Sequence, residues 1–190
     1  MRLHYKGKYD LDQEKLPRLP HKPGAVKFKE AEDSKALALV ANGVALGVLA
    51  VFGIPMFLRC GSQMRSGLFL GALLSLLALF PHELLHGICF KEDVYLYTNL
   101  KQGMLFVVGP EDMSKTRFVL MSLLPNLVFG AVPYLLGMVF PQLTVLGCFG
   151  LISLTSGGGD YYNVYNALTQ MPKGARTYLH GFNSWWYMPQ

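Results

Sequence analysis

Two histidines and a glutamate in one short run have the spacing that zinc chemistry requires. The run reads HELLH over residues 82–86. Side chains four positions apart project from one face of a helix, so the imidazoles of His82 and His86 can hold one Zn²⁺ at about 2.0–2.1 Å. Glu83 follows the first histidine and can take a proton from a metal-bound water. The spacing therefore predicts a hydrolytic zinc site with Glu83 as the general base.

A hydrolytic zinc site needs a third protein ligand, and Asp160 is the predicted one. It follows three glycines at 157–159 in a later apolar segment. The positive-inside rule places the C-terminal ends of both segments on the cytoplasmic side. At 1.5 Å per residue, His82 and Asp160 each lie about 12 Å from these ends, so they can meet at one depth in the membrane. Asp160 could instead cap a half-helix that begins at Tyr161. The weaker alternatives for the third ligand are His180, Glu92 and Cys89.

Asn126 is a further candidate in the third apolar segment. It lies about 13 Å from the cytoplasmic start of that segment, which is again the level of His82 and Asp160. Its side-chain amide could stabilise an oxyanion, which would make Asn126 catalytic. The alternative is that Asn126 only forms a hydrogen bond between helices.

The elements that must position these residues are strongly apolar. The chain has 190 residues, of which 52% are hydrophobic and 15% are charged, whereas a soluble domain has about 25% charged residues. Four apolar segments, at about 36–58, 67–90, 118–140 and 143–168, each reach the roughly 20 residues that cross a bilayer. The sequence therefore predicts an all-α polytopic membrane protein with about four transmembrane helices.

One short stretch between the second and third segments has a different pattern. Residues 94–97 and 104–108 are rich in β formers, and the residues between them are typical of a turn. This pattern predicts a short cytoplasmic β-hairpin over 93–109.

The basic residues predict the orientation and the domain organisation. Nine of the seventeen Lys and Arg residues lie within 1–35. The positive-inside rule then places both termini in the cytoplasm. We expect a basic N-terminal arm (1–35), a membrane-embedded metalloprotease-like domain (36–170) and an interfacial C-terminal tail (171–190). A basic arm beside apolar spans fits anionic membrane lipid rather than nucleic acid, because no helix carries a basic stripe.

These motifs together resemble a known family. HELLHG at the end of an apolar segment, a following hairpin and a later GGGD are similar to a bacterial family of membrane zincin peptidases related to the site-2 proteases. The resemblance covers roughly residues 67–170. It implies that His82, His86 and Asp160 bind zinc, that Glu83 is the general base, and that the protein lies in the bacterial cytoplasmic membrane. The chain departs from the site-2 proteases in having no Asp-Gly pair at Asp160.

The resemblance also suggests how a substrate would bind. The hairpin is similar to the edge strands that hold an unwound substrate in site-2 proteases, and an extended peptide could add to such an edge. Outward N–H groups within 94–97 or 104–108 would then contact the substrate.

The leading hypothesis from the sequence is a membrane-embedded zinc metalloprotease that hydrolyses peptide bonds of a membrane protein or peptide, in or near the membrane. The alternative is a zinc-binding membrane protein without proteolytic activity, such as a scaffold or a metal-handling protein. A third possibility is a structural membrane partner that binds no metal.

Overall fold

The chain contains both α-helices and β-strands. The computed structural model describes residues 1–31 and 34–190, which form six α-helices and seven strands. The helices are α1 (Ser34–Cys60), α2 (Gln63–Gly87), α3 (Lys115–Pro125), α4 (Val132–Val139), α5 (Thr144–Ser156) and α6 (Gly158–Gln170). The strands are β1 (Arg2–Lys8), β2 (Val26–Lys27), β3 (Asp93–Asn99), β4 (Met104–Val108), β5 (Met113–Ser114), β6 (Arg176–His180) and β7 (Asn183–Tyr187).

Three helical runs are long and apolar enough to cross a membrane. They are Lys35–Cys60, Gln63–Gly87 and Lys115–Val139. The third run joins α3 to α4 through a π-helical segment, Asn126–Ala131. Leucines on the first two runs face outward, and Leu39 and Leu77 are each 76% exposed. Removing a leucine side chain from water contributes about 1.5–3 kcal/mol, so a lipid environment stabilises this surface.

The fourth predicted span, 143–168, is two helices rather than one. α5 ends at Ser156, Gly157 leaves helical geometry with φ −76° and ψ 14°, and α6 begins at Gly158. The predicted number of about four transmembrane helices is therefore wrong, because three runs of sufficient length occur within 1–31 and 34–190. α5 is a shorter apolar helix, and α6 carries Asp160 in its first turn.

The predicted hairpin is present, but it belongs to a larger sheet. β3 and β4 pair antiparallel, and the turn between them ends at Gly103 with φ +63°. β1 pairs with β3 in parallel, so the strand order is β1-β3-β4. β3 is therefore the central strand, and residues 94–97, which lie on it, have a neighbouring strand on both sides.

The N-terminal and C-terminal segments build a second sheet. Its order is β2-β7-β6-β5, with antiparallel pairing throughout. The predicted all-α fold class is therefore wrong, and the protein is a mixed α and β protein. β1 contributed to the error, because most of its residues are exposed and three of its seven residues are Lys or Arg, which is typical of a solvated arm. Its sequence RLHYKGK does alternate polar and less polar residues, but the basic charge favoured the prediction of an arm rather than a strand.

Two compact units account for the described residues. The sheet unit comprises Met1–Glu30, Glu83–Met121 and Val164–Gln190, and the helical unit comprises Ala31–His82 and Ser122–Asn163. The predicted domain boundaries at 35 and 170 stay a prediction. Residues 32 and 33 of the predicted arm lie outside the described residues.

The sheet unit has an apolar core made from distant parts of the chain. The buried residues of its main cluster are Phe28, Phe90, Val94, Met113, Phe118, Ala167, Met171 and Ala175. Trp186 of β7 packs against this cluster. A second cluster consists of Tyr9, Leu16 and Tyr97. These contacts join the N-terminal segment to the hairpin and the C-terminal strands.

In the helical unit, glycines allow α4 and α5 to approach closely. A Cβ at Gly137 of α4 would overlap the backbone of Gly147 in α5, and a Cβ at Gly150 would overlap the backbone of Tyr134. Small residues at such contacts let membrane helices pack through van der Waals attraction. The core beside them consists of Met56, Tyr134, Cys148, Leu151 and Leu154.

Glu111 connects the end of α2 to the start of α3 in the sheet unit. Its carboxylate accepts hydrogen bonds from the backbone N–H groups of Lys91 (2.6 Å) and Glu92 (2.9 Å) and pairs with Arg117. Arg117 in turn donates from Nε to the carbonyl of Cys89 at 2.6 Å. Burial by itself would raise the pKa of Glu111, but these donors outweigh burial and hold the pKa below its ordinary value of 4.5.

We expect Glu111 to make stability depend on pH. A carboxylate whose pKa is lowered by folding contributes stability above its ordinary pKa and loses it as the pH falls through the folded-state pKa. Glu111→Gln should therefore reduce the free energy of unfolding at pH 7 by on the order of 2 kcal/mol. The variant should also lose less stability than wild type between about pH 5 and pH 3. Tryptophan fluorescence during thermal unfolding in detergent measures both effects.

Glu92→Gln is the matched control, because the Glu92 side chain is exposed and only its backbone N–H joins this network. The same loss of stability in both variants would contradict a specific role for Glu111.

Candidate metal centre

The histidines of the HELLH run lie in the last turns of α2. This helix continues from Gln63 to Gly87, so His82, Glu83 and His86 keep helical spacing. Among the described residues these three form a group whose ligand atoms all lie within 4.8 Å of one another. Two imidazoles and a carboxylate are donors that zinc accepts. The predicted arrangement of the two histidines on one helix face is thus present.

His86 is held by a backbone carbonyl. It is 9% exposed, and its Nδ1 lies 2.9 Å from the carbonyl oxygen of Met121. A carbonyl oxygen can only accept a hydrogen bond, so Nδ1 carries the proton and Nε2 keeps its lone pair. A hydrogen bond of this kind sets the tautomer and ring orientation that a metal ligand needs.

Asp160 brings a second carboxylate to the site. Within the helical unit, Oδ2 of Asp160 lies 3.6 Å from Nε2 of His82, and the two side chains are 16% and 21% exposed. The distance exceeds the roughly 3.2 Å limit of an N···O hydrogen bond. Two ligand atoms that each lie about 2.0–2.1 Å from a tetrahedral zinc are about 3.3 Å apart. The separation therefore suits two ligands of one zinc better than it suits a direct hydrogen bond.

Asn126 contacts the Asp160 side chain directly. Its Nδ2 donates to Oδ2 of Asp160 at 2.8 Å and to the carbonyl oxygen of Ser122 at 3.2 Å. Its Oδ1 lies 3.2 Å from the hydroxyl of Tyr161, and Asn126 is only 3% exposed. Both N–H groups of the amide are thus engaged. The bond from Asn126 to Asp160 joins two helical segments, which is the kind of contact named above as the alternative to an oxyanion role. This bond orients the Asp160 carboxylate.

Glu83 contacts the hairpin. In the sheet unit, the backbone N–H of Val107 donates to Oε2 of Glu83 at 3.1 Å. Since this N–H points at Glu83, it points away from the partner strand β3, and β4 is an edge strand of its sheet. Glu83 therefore lies at the edge of β4 that faces away from β3, which we call the open edge.

Each alternative third ligand lies in different surroundings. His180 donates a hydrogen bond from Nδ1 to the carbonyl of Leu19 at 2.9 Å. Its ring stacks on the ring of His21 at a centroid distance of 4.3 Å. Burial raises the pKa of the Cys89 thiol, although Arg117 opposes the shift, and a raised pKa disfavours the thiolate that binds metals. The side chain of Glu92 is exposed.

Three groups at the site were not found from the sequence. They are the carbonyl of Met121, the N–H of Val107 and the hydroxyl of Tyr161. Backbone groups have no residue-type signature, so two of these leave no direct signal in the sequence. Tyr161 directly follows Asp160 and was considered only as the start of a half-helix.

The chain is similar to a known family over this region. A family model described as "Putative zincin peptidase" matches residues 75–176, which is more than half of the chain and includes every predicted site residue. No curated protein matches the chain. No solved structure matches it either.

We expect Gly157→Ala to disturb Asp160 through Asn126. A Cβ at Gly157 would overlap Oδ1 of Asn126, which must then move away from Asp160. Loss of a group that hydrogen-bonds to a metal ligand typically weakens metal binding about 10–100-fold, so zinc affinity should fall by about tenfold or more. Competition with a chelator measures the dissociation constant of zinc.

Gly159→Ala is the matched control in the same glycine run, because a Cβ there has no atom within 4 Å. It should bind zinc as wild type does. Equal affinity in the two alanine variants would show that the Asn126 contact does not support the metal site.

Proposed function

Because this chain belongs to the "Putative zincin peptidase" family, we propose that it is a membrane-embedded zinc metalloprotease that hydrolyses peptide bonds in or near the membrane. The approach of Asp160 to His82 at 3.6 Å carries this proposal. It adds a carboxylate to the histidine pair of α2. Two histidines and one carboxylate form a common catalytic zinc site, in which the fourth position stays open.

In this proposal His82, His86 and Asp160 would hold the zinc ion. Glu83 is the other available carboxylate of the group. It is less suited to be the third ligand, because the edge strand already holds its Oε2 through Val107. Asp160, in contrast, is oriented by Asn126 at a distance from His82 that suits a shared metal.

The chemistry then divides between the metal and Glu83. Zinc supplies Lewis acidity, which polarises the scissile carbonyl and lowers the pKa of a water molecule toward about 7. Glu83 accepts the proton of the attacking water and passes it to the departing amine. The oxyanion role of Asn126 remains a prediction, and it would require Asn126 to release one of its two present acceptors.

The open edge of β4 is the proposed binding surface for the substrate. Outward N–H groups alternate along a strand, so Leu105 faces the same edge as Val107. An extended peptide can add to such an edge through its backbone, which makes binding tolerant of sequence. Residues 94–97, also considered from the sequence, do not offer an edge because β3 lies between β1 and β4. The substrate would be a membrane protein or peptide unwound near the site.

The three long apolar helices support an integral membrane location. We place the protein in the bacterial cytoplasmic membrane with both termini in the cytoplasm. This orientation requires the shorter helices α5 and α6 together to return the chain across the membrane after the three long runs. The concentration of basic residues in the N-terminal segment supports this orientation, and these residues would face anionic lipid.

The decisive test separates zinc binding from turnover. Glu83→Gln should retain zinc and reduce cleavage of a membrane peptide by at least about 100-fold, because it removes the general base. His82→Ala and Asp160→Ala should lose zinc as well as activity, because each removes a ligand. Elemental analysis of the purified full-length protein and a cleavage assay provide the two measurements.

Two results would contradict the proposal. Wild-type protein without near-stoichiometric zinc would exclude a zinc enzyme. If Glu83→Gln bound zinc and still replaced the wild-type protein in cells that lack it, the protein would instead be a non-proteolytic scaffold or metal-handling protein.

Leu105→Pro tests the edge-strand surface. Proline removes the outward N–H of Leu105, so a substrate strand would lose one hydrogen bond, and KM should rise by roughly tenfold. Zinc content should stay at the wild-type level. Leu105→Ala is the matched control, because it shortens the side chain and keeps the N–H. An equal rise of KM in both variants would indicate side-chain contact rather than strand addition.

A further inference from the structure

From the contacts of His86 we infer that Pro125 is a positioning residue for the metal site. Pro125 withholds the backbone N–H that would otherwise bond to the carbonyl of Met121, and this carbonyl then orients His86. The inference rests on the proposed function, because it concerns a ligand of the proposed zinc site. It assigns a role to a proline that neither the motif nor the family description includes.

The backbone of α3 supplies the first step. In an α-helix the carbonyl of each residue accepts the N–H of the fourth residue after it. The fourth residue after Met121 is Pro125, which lies at the end of α3 and has no N–H. The Met121 carbonyl therefore has no partner at its regular helical position. The π-helical segment Asn126–Ala131 begins directly afterwards, and such segments frequently occur at functional sites.

His86 supplies the missing donor. Its Nδ1 lies 2.9 Å from the Met121 oxygen, within the range of a good hydrogen bond. The bond places the proton on Nδ1, so the lone pair on Nε2 is the one presented to a metal. Because His86 is 9% exposed, water is a poor substitute for this acceptor. The Met121 carbonyl thus selects both the tautomer and the ring orientation.

An ordinary residue at position 125 would weaken the bond from His86. Its N–H would bond to the same carbonyl along the helix axis. A carbonyl oxygen has two lone pairs, so the effect would come from holding the Met121 carbonyl in line with the helix rather than toward His86. Groups that hydrogen-bond to metal-binding histidines typically contribute about 10–100-fold to metal affinity. A restored helical bond should therefore weaken zinc binding without altering any residue that contacts the metal.

The test compares three forms of the full-length protein in detergent. Pro125→Ala introduces the competing N–H. L-lactic acid at position 125, introduced by nonsense suppression, has the side chain of alanine and an ester oxygen in place of the N–H. Pro133→Ala removes a different proline, at the start of α4, and controls for the general loss of a proline from this helical run.

We expect the dissociation constant of zinc to rise by about tenfold or more in Pro125→Ala. The form with lactic acid and Pro133→Ala should bind zinc as wild type does. The visible absorption spectrum of the cobalt-substituted protein should change in Pro125→Ala alone, because the geometry at His86 changes. Thermal unfolding shows whether each form is folded.

Wild-type zinc affinity in folded Pro125→Ala would overturn the inference and leave the proposed function standing. Equal weakening in the alanine and lactic acid forms would also overturn it, because the proline ring and not the N–H would then matter. If Pro125→Ala does not fold, the lactic acid form decides by itself, and weak zinc binding there contradicts the inference. A wild-type protein that binds no zinc would remove the proposed function and this inference together.

Discussion

A polar group that is removed from water must find a partner, and this constraint organises the interior of the apolar helices. An unpaired buried donor or acceptor costs about 1–3 kcal/mol, and a charge costs more. Asp160 accepts a hydrogen bond from Asn126, and Asn126 also bonds to Ser122 and contacts Tyr161. The network fixes the Asp160 carboxylate beside His82. In the proposed function these two side chains would share a zinc ion.

The residues of the proposed metal site contact the places where the helices are irregular. Gly157 interrupts the fourth apolar segment and leaves room for the Asn126 amide, which a side chain there would displace. Pro125 ends α3 and leaves a carbonyl for His86. A regular helix pairs each interior carbonyl with its own N–H, and a break leaves a carbonyl without that partner. Breaks in helices therefore leave backbone groups that depend on a partner from elsewhere in the chain.

The sheets show where sequence patterns were informative and where they were not. The hairpin of β3 and β4 was predictable, because β-branched and aromatic residues flank a turn there. β1 was not predicted, since its basic residues are typical of a solvated arm and it is held by its parallel pairing with β3. β2 is only two residues long and likewise depends on pairing with a strand far along the chain. These long-range pairings changed the predicted all-α class into a mixed fold, and they left β4 as the edge beside Glu83.

For the site, the sequence by itself determined the helical spacing of His82 and His86, the position of Glu83 next to the first histidine, and Asp160 as the predicted third ligand. Local periodicity and the apolar setting were sufficient for this, because one helix carries the histidines and depth along a segment follows from residue number. Only the tertiary structure decided which backbone groups hold these side chains. The Met121 carbonyl and the Val107 N–H belong to every residue type alike, so their roles depend on which elements meet and not on composition. The residue types of the proposed zinc site therefore follow from the sequence, and their geometry is set by the packing around them.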